Sequence, residues 1–525
     1  MQGGIFLELL KKNIHMMREK GRTVNRVTLE EDCNVPEQQA DVGRIIQNKA
    51  AVKVDDIQVG SDLLTVSGSL QISVLYVAET EERQIQRLDA SIPFQEKQQL
   101  PGVTPGENVH LSWESEDINV SMINSRKLSM KALLAFSASA EEVYDAQAAV
   151  EVHGLDGIST ISKNLELLQM VTQKKDILRI KDEIALSSNK PNVVKVLWEN
   201  IQLRAADCRV LDGQLDVKGE LFVFVLYEGD DGGRSRQWLE TSLPFQGSIE
   251  CRECTSEMIS QVNIMLAAAS IEVLEDYDGE RRLLNVEAAL DLDIKLFLEE
   301  QVQILADIYS PVKNLIPVRE HQTYESLLMK NFSKVRASER IRLEANQPRM
   351  LQTCSSKGEV HIDRAEITED GIEVEGAVFV TVLYVSSDDK TPYAVMEGAV
   401  PFHQLIEINA SAPDCRFTLQ TELEQLSTTM IDSEEIEAKI CVNLNAFVVR
   451  VHEEECIVDI KEGEFDSRRL QDLPGIVGYI VQPQDSLWEI SKRFVTTPEH
   501  ICRINHLEEK DIVPGTKLIL LKTVH

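Results

Sequence analysis

The chain has 525 residues, 43% hydrophobic and 27% charged, which suits several soluble globular domains and excludes a disordered, collagenous or disulfide-dense protein. Asp and Glu number 87 against 54 Lys and Arg, a formal net charge of −33. Phosphate binding needs a surplus of cations, and the one five-residue run with three Lys or Arg, Arg18 to Arg22, is interrupted by Glu19, so such a chain repels anionic lipid and nucleic-acid binding is out as a first reading.

The first ten residues do not read as an export signal. Ile5-Phe6-Leu7 is short, Glu8 interrupts it, and Lys11-Lys12 follows the apolar run instead of preceding it. No window of 18 apolar residues occurs, so no transmembrane helix is expected. The expectation is a protein that stays in the cytosol that made it. Its nine cysteines are irregularly spaced and are expected to be reduced thiols.

Three domain-sized repeats follow one another. The first opens with a helix-like Leu7-Glu8-Leu9-Leu10, and a proline closes the next stretch at Pro36. Leu70, Ile72, Val74 and Tyr76 then alternate with Gln71, Ser73 and Leu75, a period of two that predicts a half-buried antiparallel strand. Gly68 precedes Tyr76 by eight residues, and Ile92-Pro93-Phe94 follows it, the proline 17 residues on. The second repeat has the same landmarks in Leu165-Glu166-Leu167-Leu168, Pro191, Gly219, Tyr227 and Leu243-Pro244-Phe245. The third has them in Tyr324-Glu325-Ser326-Leu327-Leu328, Pro348, Gly376, Tyr384 and Val400-Pro401-Phe402. The spacings of eight and 17 are identical in all three. Each proline suits a strand start or an edge strand, because it cannot donate to a ladder. The shared glycines, tyrosines and phenylalanines read as turn and core positions, since none forms a nucleophile–base pair.

These features predict a mainly β chain: three tandem β-rich domains over 1–160, 161–320 and 321–463, each of two packed sheets opening with a helix. The strand ending in Leu-Tyr, the following Pro-Phe and the paired β-runs resemble the SPOCS domain of clostridial sporulation proteins.

Residues 464–475 read as an acidic linker ending at Pro474-Gly475, with Glu453-Glu454-Glu455 already poor in apolar residues upstream. The last segment, 476–523, predicts a small α+β domain in the order βααβ. Tyr479-Ile480-Val481 is its first strand. Asp485 or Ser486 caps a helix with Leu487, Ile490 and Phe494 on one face, and Thr497-Pro498-Glu499 starts a second. Val513-Pro514-Gly515-Thr516 suits a type II turn before the strand Lys517-Leu518-Ile519-Leu520. Tyr479, Val481, Asp485, Ser486, Leu487, Trp488, Ile490, Phe494, Asn505, Ile512, Pro514, Gly515, Lys517 and Leu518 resemble a LysM domain along its full length. That resemblance implies a groove for N-acetylglucosamine glycans, or for a partner, formed by Gln484, Asp485, Ser486, Leu487, Trp488, Asp511, Ile512, Val513, Pro514 and Gly515. Gln484 departs from the family, which usually has glycine there, and its side chain either fills the groove or alters the turn. Trp488 has two readings, packing on the small core or contacting a ligand.

Enzymatic motifs are missing. Cys251-Arg252-Glu253-Cys254 has no second pair at zinc spacing, and His452-Glu453-Glu454-Glu455-Cys456 has cysteine where a zinc protease needs histidine. No phosphate loop, dinucleotide fingerprint or nucleophile elbow is found. No catalytic residue, metal or cofactor is expected. The combination of three SPOCS-like repeats and a terminal LysM resembles clostridial spore coat morphogenetic proteins. It implies a non-enzymatic protein on the outer forespore surface in the mother-cell cytoplasm. The implied partners are the coat scaffold ATPase SpoIVA and other coat or forespore-membrane proteins. The alternative is a peptidoglycan-binding cortex or cell-wall protein.

Overall fold

The computed structural model describes residues 8–153, 157–232, 235–408, 414–464 and 474–522. The first repeat contributes β1 (Glu8–Asn34), β2 (Val42–Val59), β3 (Leu63–Ala78), β4 (Ile85–Gln99), β5 (Asn108–Asn124) and β6 (Lys127–His153). The second contributes β7 (Ser159–Ala185), β8 (Val193–Leu211), β9 (Gln214–Gly229), β10 (Arg236–Glu250), β11 (Ile259–Glu275) and β12 (Arg281–Tyr309). The third contributes β13 (Asn314–Arg342), β14 (Met350–Ile367), β15 (Gly371–Ser386), β16 (Tyr393–Glu407), β17 (Cys415–Met430) and β18 (Glu435–Gly463). In each repeat the six strands form two three-stranded antiparallel sheets, ordered 2-3-4 and 1-6-5 in the first, and the two sheets share one apolar core.

The cross-strand register accounts for the repeated landmarks. Gly68, Gly219 and Gly376 lie directly opposite Phe94, Phe245 and Phe402. A Cβ on Gly219 would stand 2.8 Å from the Phe245 ring, so the glycine makes room for the ring across the ladder. The tyrosine-to-proline spacing recurs because the two stand on opposite arms of one hairpin, whose register pairs Tyr76 with Gln86 and Pro93 with Ser69. The prolines lie in β4, β10 and β16, each at the edge of its sheet.

The Leu-Tyr pair is divided between two interiors, because successive side chains on a strand point to opposite faces. Tyr76, Tyr227 and Tyr384 are fully buried in their own sandwiches. Each hydroxyl donates to a carbonyl 36 residues upstream: Ala40 at 3.1 Å, Pro191 at 3.3 Å and Pro348 at 2.9 Å. The position matching Pro191 and Pro348 is therefore Ala40, not Pro36. Leu75, Leu226 and Leu383 point the other way and meet in one cluster with Ile85, Trp198 and Tyr393 from the three repeats.

The openings expected to be helical are strands. Leu9 and Leu10 belong to β1, Leu165 to Leu168 to β7, and Tyr324 to Leu328 to β13, while Leu7 lies outside the described residues. The reason is burial. The first and last strands of each repeat run 27 to 29 residues, pair along their length and project beyond their own sandwich as a ribbon. The three ribbons pack together, joining Ile14, Ala146, Leu167, Ile304, Tyr324 and Cys456 in one buried cluster, with Leu168 in a second. In β7, where Leu167 and Leu168 enter different clusters, both faces are buried and the apolar run lacks a strand period, whereas Leu10 of β1 is exposed. Glu453-Glu454-Glu455 likewise belongs to β18 and not to a linker; Glu454 pairs with Lys163 and Glu455 with Arg319. Of the linker, residues 465–473 lie outside the described residues.

The C-terminal segment runs through β19 (Ile476–Ile480), α1 (Leu487–Arg493), α2 (Pro498–Asn505), a 3-10 turn at Glu509–Asp511 and β20 (Lys517–Leu521). β19 and β20 pair antiparallel over a core of Val481, Leu487, Ile490, Ile501, Leu518 and Leu520.

Candidate interaction site

The two loops expected to form a groove are brought together by the backbone. Val481 accepts from the Gly515 amide at 2.8 Å, and its own amide donates to Thr516 at 3.0 Å. Gly515 has φ of 92°, and Thr516 N–H donates to Val513 at 3.0 Å, closing the turn. Gln484 has φ of 85°, a left-handed conformation that suits glycine. The backbone therefore keeps the glycine-type turn, and the glutamine side chain is exposed on it.

Several of the expected contact residues serve the module itself. Asp485 accepts from the Tyr479 hydroxyl at 2.5 Å and the Gln482 amide at 2.9 Å. These bonds, the Tyr479 one foremost, hold its carboxyl below the ordinary range. Ser486 is the α1 N-cap, its Oγ accepting from Glu489 N–H at 3.1 Å. Leu487 is core, and Ile512 is partly buried against it. Asp511 accepts from the Glu508 amide at 3.0 Å. Gln484, Val513 and Pro514 remain exposed at the loop surface.

Trp488 goes elsewhere. Its Nε1 donates to Asp307 Oδ2 at 2.8 Å, at the end of β12, and its ring meets Tyr309 edge-on with centroids 6.3 Å apart. Lys492 pairs with the same carboxylate, and Arg319 Nη2 approaches Oδ1 at 3.0 Å. Burial alone would raise the Asp307 pKa, but the bonds from Lys492 and Trp488 outweigh it and the carboxyl is held below its usual value. Asp307, Tyr309 and Arg319 were not legible in the sequence, being about 180 positions from Trp488 along the chain. Lys492 had a signal, as it stands one turn beyond Trp488 on α1.

Cys251 and Cys254 form a disulfide, which corrects the expectation of reduced thiols at these two positions. Both are buried in the second repeat's core, at a turn whose first-repeat counterpart holds the buried apolar pair Leu100 and Val103. The backbone bond is the same in both, Cys254 N to Cys251 O at 3.0 Å and Val103 N to Leu100 O at 3.4 Å. Cys33, Cys208, Cys354, Cys441, Cys456 and Cys502 are not disulfide-bonded. Glu373, Glu375 and His403 have the donor types for a cation, but they are surface residues and His403 Nε2 already lies 3.0 Å from Glu373. A cleft of about 440 Å³ separates the second and third repeats. There Glu422 accepts the Ala206 amide at 2.6 Å, pinning one repeat to the other; burial pushes its pKa up.

Comparison with protein families accounts for both textures. The family model of the SipL SPOCS domain matches residues 41–123, 192–274 and 349–431, and that of the LysM domain matches 479–520. Each SPOCS match takes in four strands, from β2 to β5 in the first repeat, and leaves the long ribbon strands outside. No curated protein and no solved structure matches the chain. The two families fit a sporulation coat protein with a LysM of the peptidoglycan-binding kind, and both are non-catalytic. Among the described residues no helix is long and apolar enough to cross a membrane.

Proposed function

The chain carries three SipL SPOCS domains followed by a LysM domain, the architecture of SipL-like spore coat proteins, and from that premise we propose that it anchors the coat by binding the scaffold ATPase SpoIVA. The three repeats act as a rigid β body, and the LysM module supplies the docking surface. The observation that carries this is Gln484. A side chain stands on the left-handed turn where glycine would let a sugar approach the backbone, beside exposed Val513 and Pro514. Such a surface suits a protein partner. The site of action is the outer forespore surface, on the mother-cell side, and the units are taken as 1–160, 161–320, 321–463, the linker 464–475 and the module 476–523.

The test is localisation in sporulating cells of the whole chain and of a chain ending at 475, with capture of purified SpoIVA by each. The whole chain should reach the forespore and retain SpoIVA, and the shortened one should do neither. A shortened chain that still does both ends the proposal. The second reading, peptidoglycan binding, is favoured by the LysM match itself. Co-sedimentation of the whole chain with purified peptidoglycan, together with indifference to SpoIVA, would establish it instead.

A further inference from the structure

The LysM module already has one occupant on α1, a segment of its own chain. Trp488 and Lys492 stand four apart, so they share a face of the helix. Lys492 Nζ lies 5.4 Å from the Trp488 ring centroid, and both side chains converge on the Asp307 carboxylate. Tyr309, two residues on, packs edge-on against the indole. The face thus binds a carboxylate with an aromatic ring two positions beyond it.

The other two repeats show how selective this is. Ala149, Leu305 and Ile457 share one cluster at the ribbon ends, which places Glu151, Asp307 and Asp459 at matching positions two residues further on. All three are acidic. Two positions beyond each stand His153, Tyr309 and Lys461, so only the second repeat offers a phenol ring, against an imidazole in the first and no ring in the third. Glu151 is answered by His153 at 3.4 Å; Asp459 accepts from the Ile460 amide at 2.9 Å just as Asp307 does from Ile308, so what the third end lacks is the ring. The α1 face has docked on the one ribbon end with both features.

On the footing that the LysM module docks protein, we propose that the Trp488–Lys492 face reads acidic-aromatic segments and that Asp307–Tyr309 occupies it in cis. An incoming partner with the same chemistry must displace a tethered competitor, whose effective concentration is on the order of millimolar. The module is therefore held closed against weak acidic ligands and opens to a partner that adds contacts elsewhere, such as at Gln484, Val513 and Pro514. Charge supports the assignment. The module is formally neutral while residues 1–475 carry the whole deficit, so a cationic face on α1 is drawn to acidic strand ends.

The experiment uses the full chain labelled with 5-fluorotryptophan, whose four resonances include Trp488, assigned by Trp488→Phe. Asp307→Ala should move the Trp488 resonance and raise its solvent isotope shift, leaving the other three in place. Lys492→Ala, which leaves the second repeat intact, should do the same and guards against misfolding of β12. The probe is a synthetic peptide of residues 303–311. It should move the Trp488 resonance of the Asp307→Ala chain at a concentration about tenfold lower than that needed for the unaltered chain, and the same peptide with Asn for Asp should not. A Trp488 resonance indifferent to both substitutions, or equal peptide response in the unaltered and Asp307→Ala chains, overturns the inference. If that happens while SpoIVA capture persists, only the cis contact is lost. If capture also fails, the docking role beneath it goes too.

Discussion

At Gln484 a polar side chain is held at φ of 85°, where an L-residue is strained by roughly 1–2 kcal/mol and glycine is not. Gln484→Gly should stabilise the module by about 1 kcal/mol after the entropy glycine loses on folding is counted. Hydrogen exchange at the Gly515 amide, which donates to Val481 across the same loops, should slow about fivefold if opening requires the module to unfold. The Cys251–Cys254 bridge closes a very short loop, so its entropic contribution is about 2 kcal/mol. A double serine variant should lower the melting temperature by more than reductant does, because it also places hydroxyls in a core. Replacing the pair by Leu and Val, the residues of the first repeat, should recover most of the loss. Melts of the three proteins with and without reductant decide it.

The long ribbon is the element that distinguishes these repeats from ordinary sandwiches. Its strands belong to the domain core near one end and to the shared interior near the other, so a substitution has a local or a global effect depending on its position. Tyr76→Phe removes a hydroxyl shared between the Ala40 carbonyl at 3.1 Å and Gln86 Oε1 at 2.9 Å and should cost about 1 kcal/mol within the first sandwich. Leu226→Ala, one residue before the equivalent tyrosine, empties a cluster drawn from all three repeats and should cost about 2–5 kcal/mol. Its expected signature is faster hydrogen exchange in β3 and β15 as well as in β9. The contact between α1 and β12 has a pH dependence with a definite sign. The Asp307 carboxyl is held below its usual value in the docked state, so its contribution is present at neutral pH and is lost as pH falls through that lowered value. Exchange at the Trp488 indole should stay slow from neutrality down to about pH 4, the ordinary carboxylate value, and rise below it. A rise near pH 6 would mean that a histidine controls docking instead.

For the whole molecule, the buried cluster joining Ile14, Leu167 and Tyr324 ties the three repeats together, and the expectation is that they unfold as one cooperative body. Calorimetry should show a single main transition for them, with calorimetric and van't Hoff enthalpies in agreement, and Tyr324→Ala should shift the whole transition. Three separate transitions would mean that the ribbons contribute little. The net charge of −33 adds self-repulsion, which moderate salt relieves.

The repeat count, the β character of the runs around Tyr76, Tyr227 and Tyr384, and the change of texture near Gly478 were determined by sequence alone. The reason is that local pairing is periodic. A hairpin imposes a spacing, a half-buried strand imposes alternation, and both recur wherever the same unit recurs. The helix wrongly expected at Leu165 to Leu168 shows where that stops, since a strand buried on both faces has no period to read. The structure alone decided that Leu75, Leu226 and Leu383 share one interior, that Cys251 and Cys254 are bridged in place of an apolar pair, and that Trp488 meets Asp307. Each of these joins residues through packing between units or across a turn. Such contacts place no periodic demand on the chain, so the order shows the recurring leucine and the paired cysteines but not what they meet.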